Sequence, residues 1–217
     1  MNLKNLKINF LGDSITEGHG TSSEDHVFWR LLSDRDQTVS RGYGIGGTRI
    51  ARQANPSKNP KHDLYFGSRA DQMDPDADVV VVFGGTNDYG HGDAPMGRME
   101  DRTEDTFFGA LHCLCLSLLK RYPSSRIIFM TPLHRKDENR PVNEFGVRNV
   151  GTLGDYAEAV RKVAAYYAMP VLDLYSCSGI NPDVDCLRKR YAPDGLHPND
   201  AGHEKIYQAL RSFLIAL

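Results

Sequence analysis

Residues 8–18, INFLGDSITEG, run from a short apolar stretch straight into a polar turn bounded by glycines, and three later stretches repeat the short buried run. These are residues 79–83 (VVVVF), 127–130 (IIFM) and 171–174 (VLDL). Runs this short, without polar alternation, suit parallel strands covered on both faces. A weaker run around residues 38–40 supplies a fifth strand. Between the runs, Phe107, Leu111, Leu114 and Leu118 recur at helical spacing, as do Leu153, Tyr156, Val160, Val163 and Tyr167. Both stretches read as amphipathic crossover helices. A segment over residues 24–33 and a last one carrying Ile206, Leu210, Phe213, Leu214 and Leu217, capped by Asn199 or Asp200, complete the helices. Strands alternating with helices predict an α/β fold, a three-layer α/β/α sandwich with a five-stranded, mostly parallel sheet. Its ligand crevice should lie beyond the carboxyl ends of the strands.

The 217 residues, 40% hydrophobic and 25% charged, suffice for one large core, so a single domain over residues 1–217 is expected. The stretches 53–63 and 134–149 read as long loops within that domain. Acidic and basic residues are mixed along the chain with a formal charge of -2, which argues against a nucleic-acid partner. No apolar run approaches the roughly 18 residues of a membrane span, so no membrane insertion is expected. The opening MNLKNLKINF lacks the apolar core of a secretory signal, and the expected location is cytoplasmic. Cys113, Cys115, Cys177 and Cys186 fit neither a disulfide framework nor paired zinc spacings, and read as buried small residues; a Cys177–Cys186 bridge across a loop stays open. The histidines show no metal-ligand spacing, so no metal or other cofactor is expected. Oligomeric state is not readable.

Three polar clusters fall where the crevice rule wants chemistry. Gly12-Asp13-Ser14 follows the first strand, and Gly84-Gly85-Thr86-Asn87-Asp88 follows the run of valines. Near the carboxyl terminus, Asp194-Gly195-Leu196-His197 precedes the last helix. Each alone is ordinary: a helix cap, a turn, a surface loop. Together they supply a hydroxyl, an amide donor, and a carboxylate able to hold an imidazole in the tautomer that accepts a serine proton.

In this order, and with Gly47, the three segments closely resemble the blocks of the SGNH hydrolases, the GDSL esterase/lipase superfamily. The likeness spans residues 12–199. It implies a flavodoxin-like SGNH hydrolase fold and a carboxylic ester hydrolase that needs no cofactor. It further implies a catalytic triad of Ser14, His197 and Asp194, with an oxyanion hole made by the Ser14 and Gly47 backbone amides and the Asn87 side chain. The second block departs from the family, with Gly42 where an Asn is usual, and Gly46 lies one register from Gly47. Asp13, Arg49 and His91 are candidate substrate-binding residues. The expected partner is a small-molecule ester. The loops bordering the crevice are polar, with Arg49, Arg52, His91, Asp93, His134, Arg135, Lys136, Asn139 and Arg140. They suggest short acyl groups, acetyl first, on a polar alcohol such as a carbohydrate. The alternatives are a lipid acyl hydrolase of lysophospholipase or thioesterase type, or a non-catalytic nucleotide-binding protein, because Gly42, Gly44 and Gly47 also satisfy G-x-G-x-x-G with Asp63 downstream. The glycine pattern lacks the strong strand before it and the helix within it that a dinucleotide site requires.

Overall fold

The computed structural model describes residues 1–140 and 151–217. Strands β1 (Lys7–Gly12), β2 (Val39–Gly44), β3 (Val79–Phe83), β4 (Arg126–Met130) and β5 (Val171–Leu172) form one sheet in the order β2-β1-β3-β4-β5. Every neighbouring pair is parallel. The described helices are α1 (Ser14–Glu17), α2 (Phe28–Asp36), α3 (Phe66–Ala70), α4 (Thr86–His91), α5 (Phe107–Arg121), α6 (Leu153–Tyr166), α7 (Leu174–Cys177), α8 (Asp185–Tyr191) and α9 (Asp200–Ala216).

The four valines of β3 show why the layers form. Side chains alternate across a strand, so Val79, Val81 and Phe83 join Phe28 and Leu32 of α2 and Ile206, Leu210 and Leu214 of α9. Val80 and Val82 join Leu111, Leu114 and Leu118 of α5 and Val160 and Val163 of α6 on the other face. Both faces are apolar because both are covered. The final helix starts where Asn199 accepts a hydrogen bond from the Gly202 amide at 3.1 Å, a cap that stabilises it by about 1 kcal/mol.

Register sets the site. Gly12 of β1 pairs with Gly44 of β2 on one side and with Phe83 of β3 on the other, so three strands end level. The chain turns off β1 towards β2 and later returns past it to β3, which makes this edge the topological switch point of the sheet.

Several boundaries differ from the sequence reading. The weak strand lies at Val39–Gly44, not residues 38–40, because pairing with β1 uses the backbone and the Trp29 ring covers Gly42 where a side chain would have stood. Residues 24–26 form a 3₁₀ turn, and α2 starts only at Phe28. The last strand stops at Leu172, since Leu174 opens α7. The 53–63 stretch contains a second 3₁₀ turn, Pro60–Asp63. Part of the loop expected over residues 134–149 lies outside the described residues. Of the cysteines only Cys115 is buried; Cys177 and Cys186 are exposed and not bridged. No described helix is long and apolar enough to cross a membrane.

Candidate active site

The α1 helix follows β1 with only Asp13 between them. Asp13 Oδ1 accepts from the Ile15 amide at 3.0 Å, and Gly18, in the left-handed region at φ +103°, ends the helix after one turn. Ser14 is its first residue, so its own N–H is one of the amides a helix leaves without an internal partner. Gly44 allows α1 to lie across the end of β2: a Cβ there would stand 2.2 Å from the Glu17 nitrogen.

Ser14 Oγ lies 3.0 Å from His197 Nε2, and His197 Nδ1 lies 2.7 Å from Asp194 Oδ2. An ionised carboxylate can only accept, so the imidazole proton sits on Nδ1 and Nε2 is left to accept the serine hydroxyl. Burial alone would raise the Asp194 carboxyl. Hydrogen bonds from the Leu196 amide, the His197 ring and the His197 amide outweigh it and hold the group below its usual range. The loop is fixed at both ends, because the Asn199 amide donates to the Tyr191 carbonyl and the Lys136 amide to the Gly195 carbonyl.

Facing this relay, the Gly46 amide donates to Glu17 Oε2 at 2.6 Å. Gly47 adopts φ +75°, which favours glycine, and the His62 ring lies so close that a Cβ at Gly47 would stand 2.4 Å from it. Asn87 in α4 points one N–H of its amide at the Thr48 carbonyl, 3.0 Å away. Its neighbour Asp88 accepts from the Ile50 and Ala51 amides at 3.0 and 2.9 Å. Two adjacent residues of α4 thus grip the segment that follows Gly47.

Beneath these groups, burial pushes the Asp13 carboxyl up to about 7 and the Asp88 carboxyl up to about 6. Burial also lowers Arg69 to about 10; its guanidinium donates to the Gly12 and Tyr43 carbonyls and to Thr48 Oγ1. One buried cation therefore ties the ends of β1 and β2 to the Gly47 loop.

The cleft over Ser14 holds about 390 Å³. Among the described residues its walls include Glu17, His19, Asn59, Lys61, His62, Asn87, His91, Arg135 and His197, with only Ile45 and Leu196 as large apolar residues. Among the described residues no group of three or more His, Cys, Asp or Glu is placed to hold a metal ion.

A family model for the GDSL-like lipase/acylhydrolase family matches residues 10–205, which takes in the end of β1, the Ser14 turn, the Asn87 helix and the Asp194–His197 loop. The chain belongs to this family. A GDSL lipase of Mycobacterium tuberculosis is 28% identical over 208 residues, covering 89% of this chain and 75% of that protein. A crystal structure of a Lactobacillus plantarum protein is 30% identical, covers 98% of each chain and superposes with a TM-score of 0.82. An acetyl xylan esterase structure, 23% identical, covers 95% of this chain and 98% of its own with a TM-score of 0.66, and shares the fold. As a GDSL hydrolase, this chain is a carboxylic ester hydrolase acting on a small-molecule ester.

The cleft brings together Ser14, Gly47, Asn87, His91 and His197, with Asp194 behind His197, all of them singled out as candidates from the sequence. Two candidate substrate-binding residues stand elsewhere. Asp13, 1% exposed, turns its carboxylate back onto its own helix and does not line the cleft. Arg49, 3% exposed, lines a neighbouring chamber, and its terminal nitrogens are occupied by Ser57, Asp63, the His62 carbonyl and His91. Of the polar loop residues expected at the crevice, His91 and Arg135 line the cleft, Asp93 borders the neighbouring chamber with Arg49, and Arg52, His134, Lys136, Asn139 and Arg140 line neither. The G-x-G-x-x-G reading fails in structure: Gly42 and Gly44 lie within β2, and Asp63 is held by Arg49 and Ser57. Glu17, Asn59, Lys61 and His62 were missed. Glu17 sits one helical turn after Ser14, a spacing that signals a shared face; nothing in the sequence marks the other three.

Proposed function

We propose that this enzyme removes short acyl groups, acetyl foremost, from a polar alcohol such as a carbohydrate, with Ser14 as nucleophile. The observation that carries this is the unbroken line from Ser14 Oγ through His197 to Asp194 within a polar cleft. Ser14 Oγ attacks the ester carbonyl carbon while its proton passes to His197 Nε2, and the carbonyl π electrons move onto oxygen. Donors for that oxyanion are the Ser14 and Gly47 amides and the second Asn87 N–H. Gly47 is preferred to Gly46 because Glu17 holds the Gly46 amide. Collapse of the tetrahedral intermediate breaks the bond to the alcohol oxygen, which takes the proton from His197. Water then attacks the acyl-serine by the same route, breaking the acyl–Oγ bond, so that the acid is released and Ser14 takes back its proton from His197. Asp194 keeps the imidazole in its working tautomer and stabilises the imidazolium.

Support for a short acyl group and polar alcohol comes from the cleft walls. A long-chain site presents an apolar groove, whereas this one offers side-chain donors and acceptors on nearly every side. The fold shared with an acetyl xylan esterase agrees with that reading. Hydrolysis of 4-nitrophenyl acetate and octanoate, each corrected against Ser14→Ala, tests it. A Ser14-dependent preference for acetate is expected; a preference for octanoate would move the reading to lipid or thioester substrates.

A further inference from the structure

Next to the catalytic cleft lies a second chamber of about 380 Å³, bordered by Arg49, Gln53, Asn55, Ser57, Lys58 and Asp93. Three residues, Asn59, His62 and His91, line both spaces and form the wall between them. The His62 and His91 rings face each other with centroids 5.7 Å apart.

This wall is built rather than incidental. Asn59 caps the Pro60–Asp63 turn by accepting the Lys61 amide at 3.1 Å. Arg49 holds the turn from below, donating to the His62 carbonyl at 3.0 Å and Asp63 Oδ1 at 3.0 Å, and it reaches His91 Nδ1 at 3.1 Å. His62 is thereby pressed onto Gly47.

The mechanism says which part of an ester meets this wall. The alcohol oxygen must receive the proton of His197 Nε2, so the alcohol departs along the His197 and Leu196 side. The oxyanion faces the Ser14, Gly47 and Asn87 donors. The remaining substituent of the tetrahedral carbon is the acyl chain, which leaves both of those sides free, and among the described walls of the cleft it is Asn59, His62 and His91 that also border a second space able to take it. No residue of the His197 loop borders the second chamber. Several of its polar groups are already engaged, Arg49 Nη2 with Ser57 and Asp63 and the Asp93 carboxylate with the Ala54 and Asn55 amides, although the buried Arg49 Nε has no hydrogen-bond partner. A short alkyl group entering it would leave few buried polar groups unpaired.

We propose that this chamber is an acyl-side subsite that His62 closes, so that His62 sets the upper limit on acyl length. The proposal rests on the short-acyl reading above and adds the residue responsible for it. The test is kcat/KM for 4-nitrophenyl acetate, butyrate and hexanoate with the parent enzyme, His62→Ala, and His62→Ala combined with Lys58→Trp, which refills the chamber. Removing His62 also strips a contact from Gly47, so rates on every ester are expected to fall and the butyrate-to-acetate ratio is the readout. That ratio should rise at least about tenfold in His62→Ala, the discrimination a few methylenes in a pocket provide. It should return towards the parent value in the double variant.

An unchanged ratio in a folded His62→Ala protein, while the parent prefers acetate, overturns the gate and leaves the short-acyl reading standing. A raised ratio that persists in the double variant places the acyl chain elsewhere and overturns the chamber's role. A parent that prefers hexanoate contradicts the short-acyl reading itself, and the gate with it. His62→Ser, with its smaller polar side chain, gives the same comparison should the alanine variant fail to fold.

Discussion

Replacing Asn87 by alanine separates the chemistry of the cleft from its architecture. Asn87 Nδ2 has two hydrogens: one is held by the Thr48 carbonyl at 3.0 Å, which aims the other at the cleft. Losing an oxyanion donor costs about 3 kcal/mol of transition-state stabilisation, a drop of roughly 10²–10³ in kcat. The same change leaves the Thr48 carbonyl without its partner, which costs about 1 kcal/mol of stability. For a domain of this size that lowers Tm by about 2–4 °C. The Gly47 segment should stay in place, because Asp88 still grips the Ile50 and Ala51 amides. Steady-state hydrolysis of 4-nitrophenyl acetate, with Ser14→Ala as background, should therefore show a kcat loss of two to three decades on the order given above, with KM changed little. A kcat within about threefold of the parent, in a protein of nearly parental Tm, would refute Asn87 as an oxyanion donor.

Asp194→Asn should lower kcat by about 10²–10³, less than the roughly 10⁴ seen when the orienting carboxylate is buried, since the Asp194 side chain is 54% exposed and water can partly replace it; the same ester assay measures it. Glu17→Ala releases the Gly46 amide and should reduce kcat while Ser14 remains reactive, with Glu17→Gln recovering part of the loss through its carbonyl oxygen. Asp13, raised by burial to about 7, binds a proton in the folded protein over a range where the unfolded chain has lost it, so its contribution to stability is complete below about pH 4 and is lost as pH rises through about 7. His91 and His203, pushed down by burial to about 3 and about 4, act in the opposite sense below pH 6.5, so the test is the difference in urea midpoint between the parent and Asp13→Asn, which should shift in favour of the asparagine variant between pH 5 and pH 8. Phe10, buried edge-on against Phe28 at 5.5 Å, should cost about 3–5 kcal/mol on replacement by alanine, measured by urea unfolding.

The sheet was readable in the sequence because burial on both faces leaves a mark at every position of a strand. Residues 79–83 coincide with β3, and the valines needed no partner to identify them. β2 was almost invisible, since it is held by backbone pairing with β1 and by the Trp29 ring over Gly42, neither of which alters its own residues in a periodic way. The three residues of the proposed triad could be singled out because they stand in short segments tied to a strand end or to a helix cap. Gly46 and Gly47 look alike in the sequence, and what favours Gly47 as the proposed donor is Glu17 holding the Gly46 amide, a contact across 29 residues. Asp13 illustrates the opposite error: a polar residue beside the nucleophile looks like a substrate contact until its carboxylate is found turned inward. His62 carried no signal, because its position depends on Arg49, Asn59 and Asp63 acting together.

Covalent capture of the nucleophile tests the central claim most directly. Incubation with a fluorophosphonate followed by mass spectrometry of the peptides should find one phosphonylated residue, Ser14, with labelling abolished in Ser14→Ala and strongly slowed in His197→Ala. Labelling at another residue with loss of esterase activity, or an unlabelled Ser14 in an enzyme that the reagent inactivates, would contradict the assignment of Ser14 as nucleophile.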